Sequence, residues 1–216
     1  MARGMRDSGG MSGFLELSPA RLYLVVAPRP VRRRMMTAFA VRLALTGPAC
    51  LLDGGNSLDL YGLARQLRQQ CAPQEDAAEE AVWQAALERV TVARAFTCYQ
   101  MAALLSAAAG RTSNAATLVL DLLDTFYDES VELAERRRLL ESCLPLLRRL
   151  AHQACAVVSA GTPSLISAAP PQPASKTGQD EGQGMDEGFL AMLEETADQV
   201  IRLEAETPSQ QQLRMF

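Results

Sequence analysis

The segment RLYLVVA (Arg21–Ala27) is a short, continuous apolar run, which is typical of a β-strand buried on both faces. Further strand-like runs follow it, and helical segments lie between them. The runs are ACLLD (Ala49–Asp53), RVTVARA (Arg89–Ala95), AATLVLD (Ala115–Asp121), ACAVVSA (Ala154–Ala160) and DQVIRLE (Asp198–Glu204). The helical segments are Arg33–Leu45, Leu58–Gln70, Glu75–Glu88, Tyr99–Ala109, Glu132–Gln153 and Phe189–Thr196. This alternation predicts an α/β fold with a mainly parallel central sheet and helices on both faces.

Composition limits the classes of protein to which the chain can belong. Its 216 residues are 48% hydrophobic and 21% charged, which suits one α/β domain with a real core. The net charge of −4 excludes a global positive field that would attract nucleic acid or an anionic membrane. We therefore expect any DNA contact to be weak and to come from a local patch.

The ends of the chain and one internal segment differ from this core. Residues 1–19 are predicted to be a flexible leader, 20–204 the core, and 205–216 a tail. Within the core, residues 161–188 are rich in Pro, Ser, Gly and Ala and predict a mobile loop. That loop carries a single cation and no aromatic residue to stack on a base, so we interpret it as a linker rather than a DNA-binding loop.

The sequence favours a cytoplasmic protein without a membrane segment. The leader has no apolar run after its charges, unlike a signal peptide. The longest apolar stretch, Met35–Leu45, is too short to span a bilayer and contains Arg42. The five cysteines are odd in number and widely spaced, which indicates free thiols in a reducing compartment rather than disulfides or a metal site.

Three segments together resemble the RecA superfamily of recombinases, and most closely its archaeal and eukaryotic members and their paralogues. ERVTVARAFTCYQMAALL (Glu88–Leu105) is similar to a strand and helix of that family, and CLLDGGNSLDLYGLARQLR (Cys50–Arg68) to its second strand and the helix after it. LVLDLLDTFYDE (Leu118–Glu129) is similar to the Walker B strand, with Asp121 at the metal-directed aspartate. The resemblance extends over about residues 20–204 and implies a RecA-like, three-layer αβα domain.

The phosphate-binding motif departs from that family. The pattern G-x-x-x-x-G-K-[ST] wraps phosphates with backbone N–H groups and holds Mg²⁺ through its hydroxyl. Here its Gly-Lys-hydroxyl positions fall on Arg32, Arg33 and Arg34. The family's catalytic glutamate falls on Gly55. We therefore expect no ATP hydrolysis and no required cofactor, although residual ATP binding through Arg32, Arg33, Arg34 and Asp121 stays open as the weaker alternative.

A dense basic cluster, hereafter the basic patch, surrounds the expected start of the first helix. It consists of Arg29, Arg32, Arg33 and Arg34. Positive side chains at a helix N-terminus are repelled by the positive end of the helix macrodipole. An anionic partner bound there would relieve this repulsion. A phosphate, an acidic protein surface and a merely solvated face all remain open. Asp121 is interpreted as a structural relic rather than a working magnesium ligand.

The tail is mainly polar, but its last five residues, QLRMF, include three large apolar side chains. Gln212, Leu213, Met215 and Phe216 resemble the motif by which bacterial proteins dock on the replicative sliding clamp. Such a tail delivers Gln to a polar subsite and the apolar side chains to a pocket. The alternative is that these side chains pack on their own domain.

The leading hypothesis is a non-hydrolysing RecA-like accessory protein in DNA recombination, repair or damage-tolerant replication. It would act through protein contacts, with the sliding clamp and a recombinase or repair polymerase as expected partners. Two alternatives stay open: an ATPase with an unorthodox phosphate site using Arg33 and Asp121, and a RecA-like regulatory domain outside DNA metabolism. All three rest on family analogy.

Overall fold

The computed structural model describes residues 17–71, 77–111, 114–161 and 179–203, and for 77–81 and 179–187 it describes the backbone only. Strands and helices alternate through this part of the chain, as the sequence predicts. The strands are β1 (Leu22–Val26), β2 (Ala49–Asp53), β3 (Val90–Arg94), β4 (Ala116–Leu120), β5 (Ala156–Ala160) and β6 (Gln199–Arg202). The helices are α1 (Arg29–Thr46), α2 (Leu60–Cys71), α3 (Ala77–Glu88), α4 (Cys98–Gly110), α5 (Leu133–Gln153) and α6 (Gln179–Thr196), with a 3₁₀ turn at Leu122–Thr125.

The strands form one sheet in the order β3-β2-β4-β5-β1-β6, and every described pair in it is parallel. Strands β1, β4 and β5 are buried along their whole length, which explains their mostly apolar sequences. Because the strands are parallel, their carboxyl ends all meet at one edge of the sheet. The predicted α/β class is confirmed, and the architecture is consistent with a RecA-like fold.

Helices cover the two faces of the sheet in sets of three. Helices α1, α2 and α3 pack over one face together with Tyr23 and Val25 of β1. Helices α4, α5 and α6 pack over the other face together with Leu22, Leu24 and Val26. Alternate residues of one strand thus enter opposite cores, as the pleat of a strand requires. The result is a three-layer αβα structure.

Two helices begin four or more residues before their predicted start. Helix α1 begins at Arg29 rather than at Arg33, because Pro28 and Pro30 suit a helix start. Helix α6 begins at Gln179, inside the segment predicted as a loop. Residues 162–178 of that segment, residues 1–16 of the leader, and residues 204–216, which include the predicted tail, lie outside the described residues.

The five cysteines are free thiols, and Cys98 and Cys143 lie in the core on one face of the sheet while Cys155 lies in the core on the other. Burial raises the pKa of Cys143 and of Cys155 to about 11, so both stay protonated at neutral pH. Among the described residues, no helix combines the length and the hydropathy needed to cross a bilayer.

Candidate functional site

Four neighbouring strands end side by side at the carboxyl edge of the sheet, and the candidate site lies there. Strand β2 ends at Asp53, while Asp121, Gly161 and Ala27 directly follow β4, β5 and β1. This edge is where ligands bind in open parallel sheets. Helix α1 also begins at this edge, and it places the side chain of Arg32 beside Asp121. Two residues that the sequence assigned to the phosphate region are therefore brought together.

Helix α1 begins after a connection of only two residues from β1. Pro28 is the N-cap residue and Pro30 lies in the first turn, where a fixed φ is an advantage and a missing N–H costs little. The first helical hydrogen bond runs from the N–H of Arg32 to the carbonyl of Pro28 (2.9 Å). The segment aligned with a phosphate-binding loop is thus mostly helical, and its two prolines leave Arg29 and Val31 as the N–H donors of the first turn.

Arg32 points inward from α1 and is fully buried. Its Nε donates to Asp121 Oδ1 at 2.5 Å, and its Nη1 donates to the carbonyl of Ala27 at 3.2 Å. The surroundings are tight, because a Cβ added to Gly161 would lie 1.9 Å from Nη1. Burying a cation costs free energy unless the cation is paired with an anion and hydrogen-bonded. Asp121 is the paired anion, and both Asp121 and the carbonyl of Ala27 accept hydrogen bonds from Arg32. Arg32 therefore does not belong to an exposed basic patch, contrary to the expectation from the sequence.

Asp121 forms hydrogen bonds to the protein through both its backbone and its side chain. Its backbone is left-handed (φ 52°, ψ 47°), a conformation that aspartate tolerates better than most residues. Its N–H donates to Ser159 Oγ at 2.9 Å, and that hydroxyl donates to Asp121 Oδ1 at 3.2 Å. Oδ1 thus accepts from both Arg32 and Ser159. The carboxylate at the position that the RecA family directs towards a metal is engaged here with protein donors.

Gly55, in the turn after β2, packs directly against Asp121. A Cβ added to Gly55 would lie 2.6 Å from both Cβ and Oδ2 of that aspartate. The preceding residue, Gly54, donates its N–H to the carbonyl of Leu120 at 2.8 Å, which draws the turn onto the end of β4. The position that the resemblance assigned to a catalytic glutamate therefore has no room for a side chain unless Asp121 moves.

Asp124, in the 3₁₀ turn, is the second carboxylate near Arg32. Burial, and then the nearby charge of Asp121, raise its pKa to about 6, while Arg32 and Arg29 act in the opposite direction. Its Oδ1 lies 3.8 Å from Nη2 of Arg32, and both atoms are buried without a hydrogen-bond partner among the described residues. A separation of 3.8 Å is too long for a hydrogen bond, and the pKa of Asp124 rises because burial and the charge of Asp121 outweigh the neighbouring cations.

The other arginines of the basic patch are exposed. Arg29 Nη2 donates to the carbonyl of Gly55 at 2.9 Å, and Arg33 Nη2 lies 3.6 Å from Asp59 Oδ2. Arg34 is exposed on the same helix. The patch thus consists of three exposed arginines rather than four, and Arg33 already has a carboxylate neighbour.

Two residues of this site carried no signal in the sequence analysis. Ser159 lies inside a buried strand, where a small polar residue is easily taken as ordinary strand composition, and Gly161 was assigned to the start of a loop. The only available hint was position: a glycine directly after a buried parallel strand suits a close approach of another group to the backbone.

The sequence matches no protein-family model and no curated protein. Within the described ranges, no group of three or more His, Cys, Asp or Glu side chains is arranged to hold a metal ion. The predicted docking residues Gln212, Leu213, Met215 and Phe216 lie outside those ranges.

Proposed function

We propose that this chain is a RecA-like protein that does not hydrolyse ATP and serves as an accessory protein in DNA recombination, repair or damage-tolerant replication. The observation that carries the first part is the buried ion pair between Arg32 and Asp121. In an active P-loop enzyme, the charges at this edge are the ligand's phosphates and its metal ion. Here a guanidinium belonging to the chain itself neutralises the aspartate.

Three further features support the absence of hydrolysis. Helix α1 starts at Arg29, so the N–H of Arg32 is used within the helix, and the two prolines leave only Arg29 and Val31 as N–H donors in the first turn. Gly55 has no room for a catalytic side chain. Arg33, the residue at the lysine position, is half exposed and lies beside Asp59. An ATPase using Arg33 and Asp121 would have to break the Arg32 pair first. The assignment to DNA metabolism rests on the sequence resemblance alone.

The purified protein should show no ATP turnover above background and no heat of ATP binding in calorimetry with Mg²⁺ present. The physical reason is that Asp121 is already neutralised and that the first turn of α1 offers few N–H donors. A phosphate-release assay, with Asp121→Asn as the control for contaminating ATPases, measures the first quantity. Turnover that disappears in Asp121→Asn would contradict the proposal and favour the enzyme alternative.

The second part of the proposal is that the C-terminal tail docks on a sliding clamp. A synthetic peptide of residues 205–216 should bind a bacterial clamp by itself with micromolar affinity, about −8 kcal/mol. Leu213→Ala with Phe216→Ala should weaken that binding by a few kcal/mol, since both side chains would fill apolar subsites. Fluorescence anisotropy measures both affinities.

A matched control for the tail is Thr207→Ala with Ser209→Ala, which changes polar residues before the motif and should leave clamp binding intact. In the full chain, the Leu213→Ala/Phe216→Ala variant should keep the Tm of the parent protein. A peptide that ignores the clamp, together with a lower Tm in that variant, would show that the tail packs on its own domain.

A further inference from the structure

A cavity lies at the amino edge of the sheet, opposite to the Arg32 site. Its volume is about 110 Å³, and it is lined by the beginnings of β2, β3 and β4 and by the ends of α4 and α5. Strands of five residues separate the two edges by roughly 17 Å, so the two sites are independent. The cavity is large enough for several water molecules, and thus for a small oxyanion.

Two arginines give the described lining of this cavity a positive charge. Arg89, just before β3, and Arg111, just after α4, both line it, and both are exposed. The described residues of its lining include no acidic side chain. Neither arginine forms an ion pair within the described part of the chain, whereas Arg32, Arg33 and Arg94 at the opposite edge all do.

Hydrogen bonds position Arg89 and Gln153, two of the residues that line the cavity. Nε of Arg89 donates to the carbonyl of Ala85 at 3.0 Å, which fixes the guanidinium at the end of α3. The amide Nε2 of Gln153 donates to the carbonyls of Ala109 (3.0 Å) and Arg111 (2.9 Å). Because Gln153 already satisfies these carbonyls, the guanidinium of Arg111 is not required to cap α4.

The cavity also contains neutral polar groups that suit an oxyanion. Thr91 and Thr117 line it from β3 and β4, and a threonine hydroxyl can donate to a phosphate oxygen. The thiol of Cys50 is a further lining group. Burial raises its pKa more than the charge of Arg111 lowers it, so the thiol stays neutral and does not cancel the positive charge.

We infer that this cavity binds a phosphate group, held by the guanidinium groups of Arg89 and Arg111. Arginine matches phosphate through planar, charge-assisted donors, and two such side chains on one small cavity leave a charge that an oxyanion would neutralise. The group would arrive either as free phosphate or as the phosphate of a small monoester. The site does not depend on the proposed function, and neither Arg89 nor Arg111 contributes to the Arg32 network.

Inorganic phosphate and glycerol phosphate serve as the two probes, added to the full-length protein at constant ionic strength with chloride as the balance. We expect saturable broadening of the ³¹P NMR signal and a rise in Tm of about 2–4 °C near saturation. A larger effect of inorganic phosphate would identify the free ion as the ligand, and a larger effect of glycerol phosphate would identify a monoester.

The Arg89→Gln and Arg111→Gln variants should each weaken phosphate binding by about tenfold or more. Arg68→Gln is the matched control, because Arg68 is an exposed arginine at the end of α2 that does not line the cavity. Since phosphate also stabilises proteins generally, the comparison among variants decides the result. Equal phosphate effects in the parent, Arg68→Gln and the two cavity variants would overturn the inference, as would the absence of saturation in the parent.

Discussion

Replacing Arg32 with alanine should lower the free energy of unfolding by about 3–5 kcal/mol. The substitution removes the cation that neutralises Asp121, and it leaves that carboxylate buried with Ser159 as its remaining side-chain donor. It also removes a side chain that is fully buried, so a cavity adds to the loss. Urea denaturation followed by circular dichroism measures the change.

Arg33→Ala is the matched control for this prediction. Arg33 is the next residue on α1, but half of its side chain is exposed and it lies 3.6 Å from a carboxylate that is also partly exposed. Exposed ion pairs contribute little to stability, so the control should change the free energy of unfolding by less than about 1 kcal/mol. Equal losses in the two variants would show that burial of Arg32 does not stabilise the fold.

A double variant separates the charge effect from the packing effect. Arg32→Met fills much of the same space without a charge, and Asp121→Asn removes the opposite charge while keeping a residue that accepts the left-handed backbone. The pair should recover part of the stability lost in Arg32→Met alone, because no buried charge is then left unpaired. No recovery would mean that the aspartate is neutralised by another group.

Strands β1, β4 and β5 were predictable because each is buried along its whole length and its sequence is therefore mostly apolar. The buried strand β5, for example, is apolar at every position except Ser159. Parallel pairing then followed from the alternation with helices.

Helix α6 was less predictable, since Gly182, Gly184 and Gly188 all weaken helix propensity. Burial of Phe189, Leu190 and Leu193 against the sheet and α5 provides tertiary contacts to the last turns of that helix.

The candidate site was only partly predictable. The sequence points to both Arg32 and Asp121, but it predicts Arg32 as part of an exposed basic patch and Asp121 as a structural relic, with no contact between them. Nothing local distinguishes Arg32 from Arg33 and Arg34 in a run of three arginines, because burial depends on which side of α1 faces the sheet edge. Its partner is 89 positions away in the sequence. The pairing therefore depends on long-range geometry, which composition and spacing do not encode.

Gly161→Ala should lower the free energy of unfolding by about 3 kcal/mol, through a clash rather than through backbone conformation. The new Cβ would lie 1.9 Å from Nη1 of Arg32 and 2.9 Å from its Cζ, so the guanidinium must move. Movement would disturb its hydrogen bonds to Asp121 and to the carbonyl of Ala27. Gly110→Ala, in a position with no atom within 4 Å of the new Cβ, should leave stability within about 1 kcal/mol of the parent value.

A double-mutant cycle tests whether the clash is with Arg32 itself. In the Arg32→Met background, the branched end of the guanidinium is gone, so Gly161→Ala should cost much less than it does in the parent protein. We expect a coupling energy of about 1–3 kcal/mol between the two positions, as measured by urea denaturation of all four proteins. Additive losses would mean that Gly161 is required for another reason, and that the guanidinium of Arg32 does not occupy the space beside the end of β5.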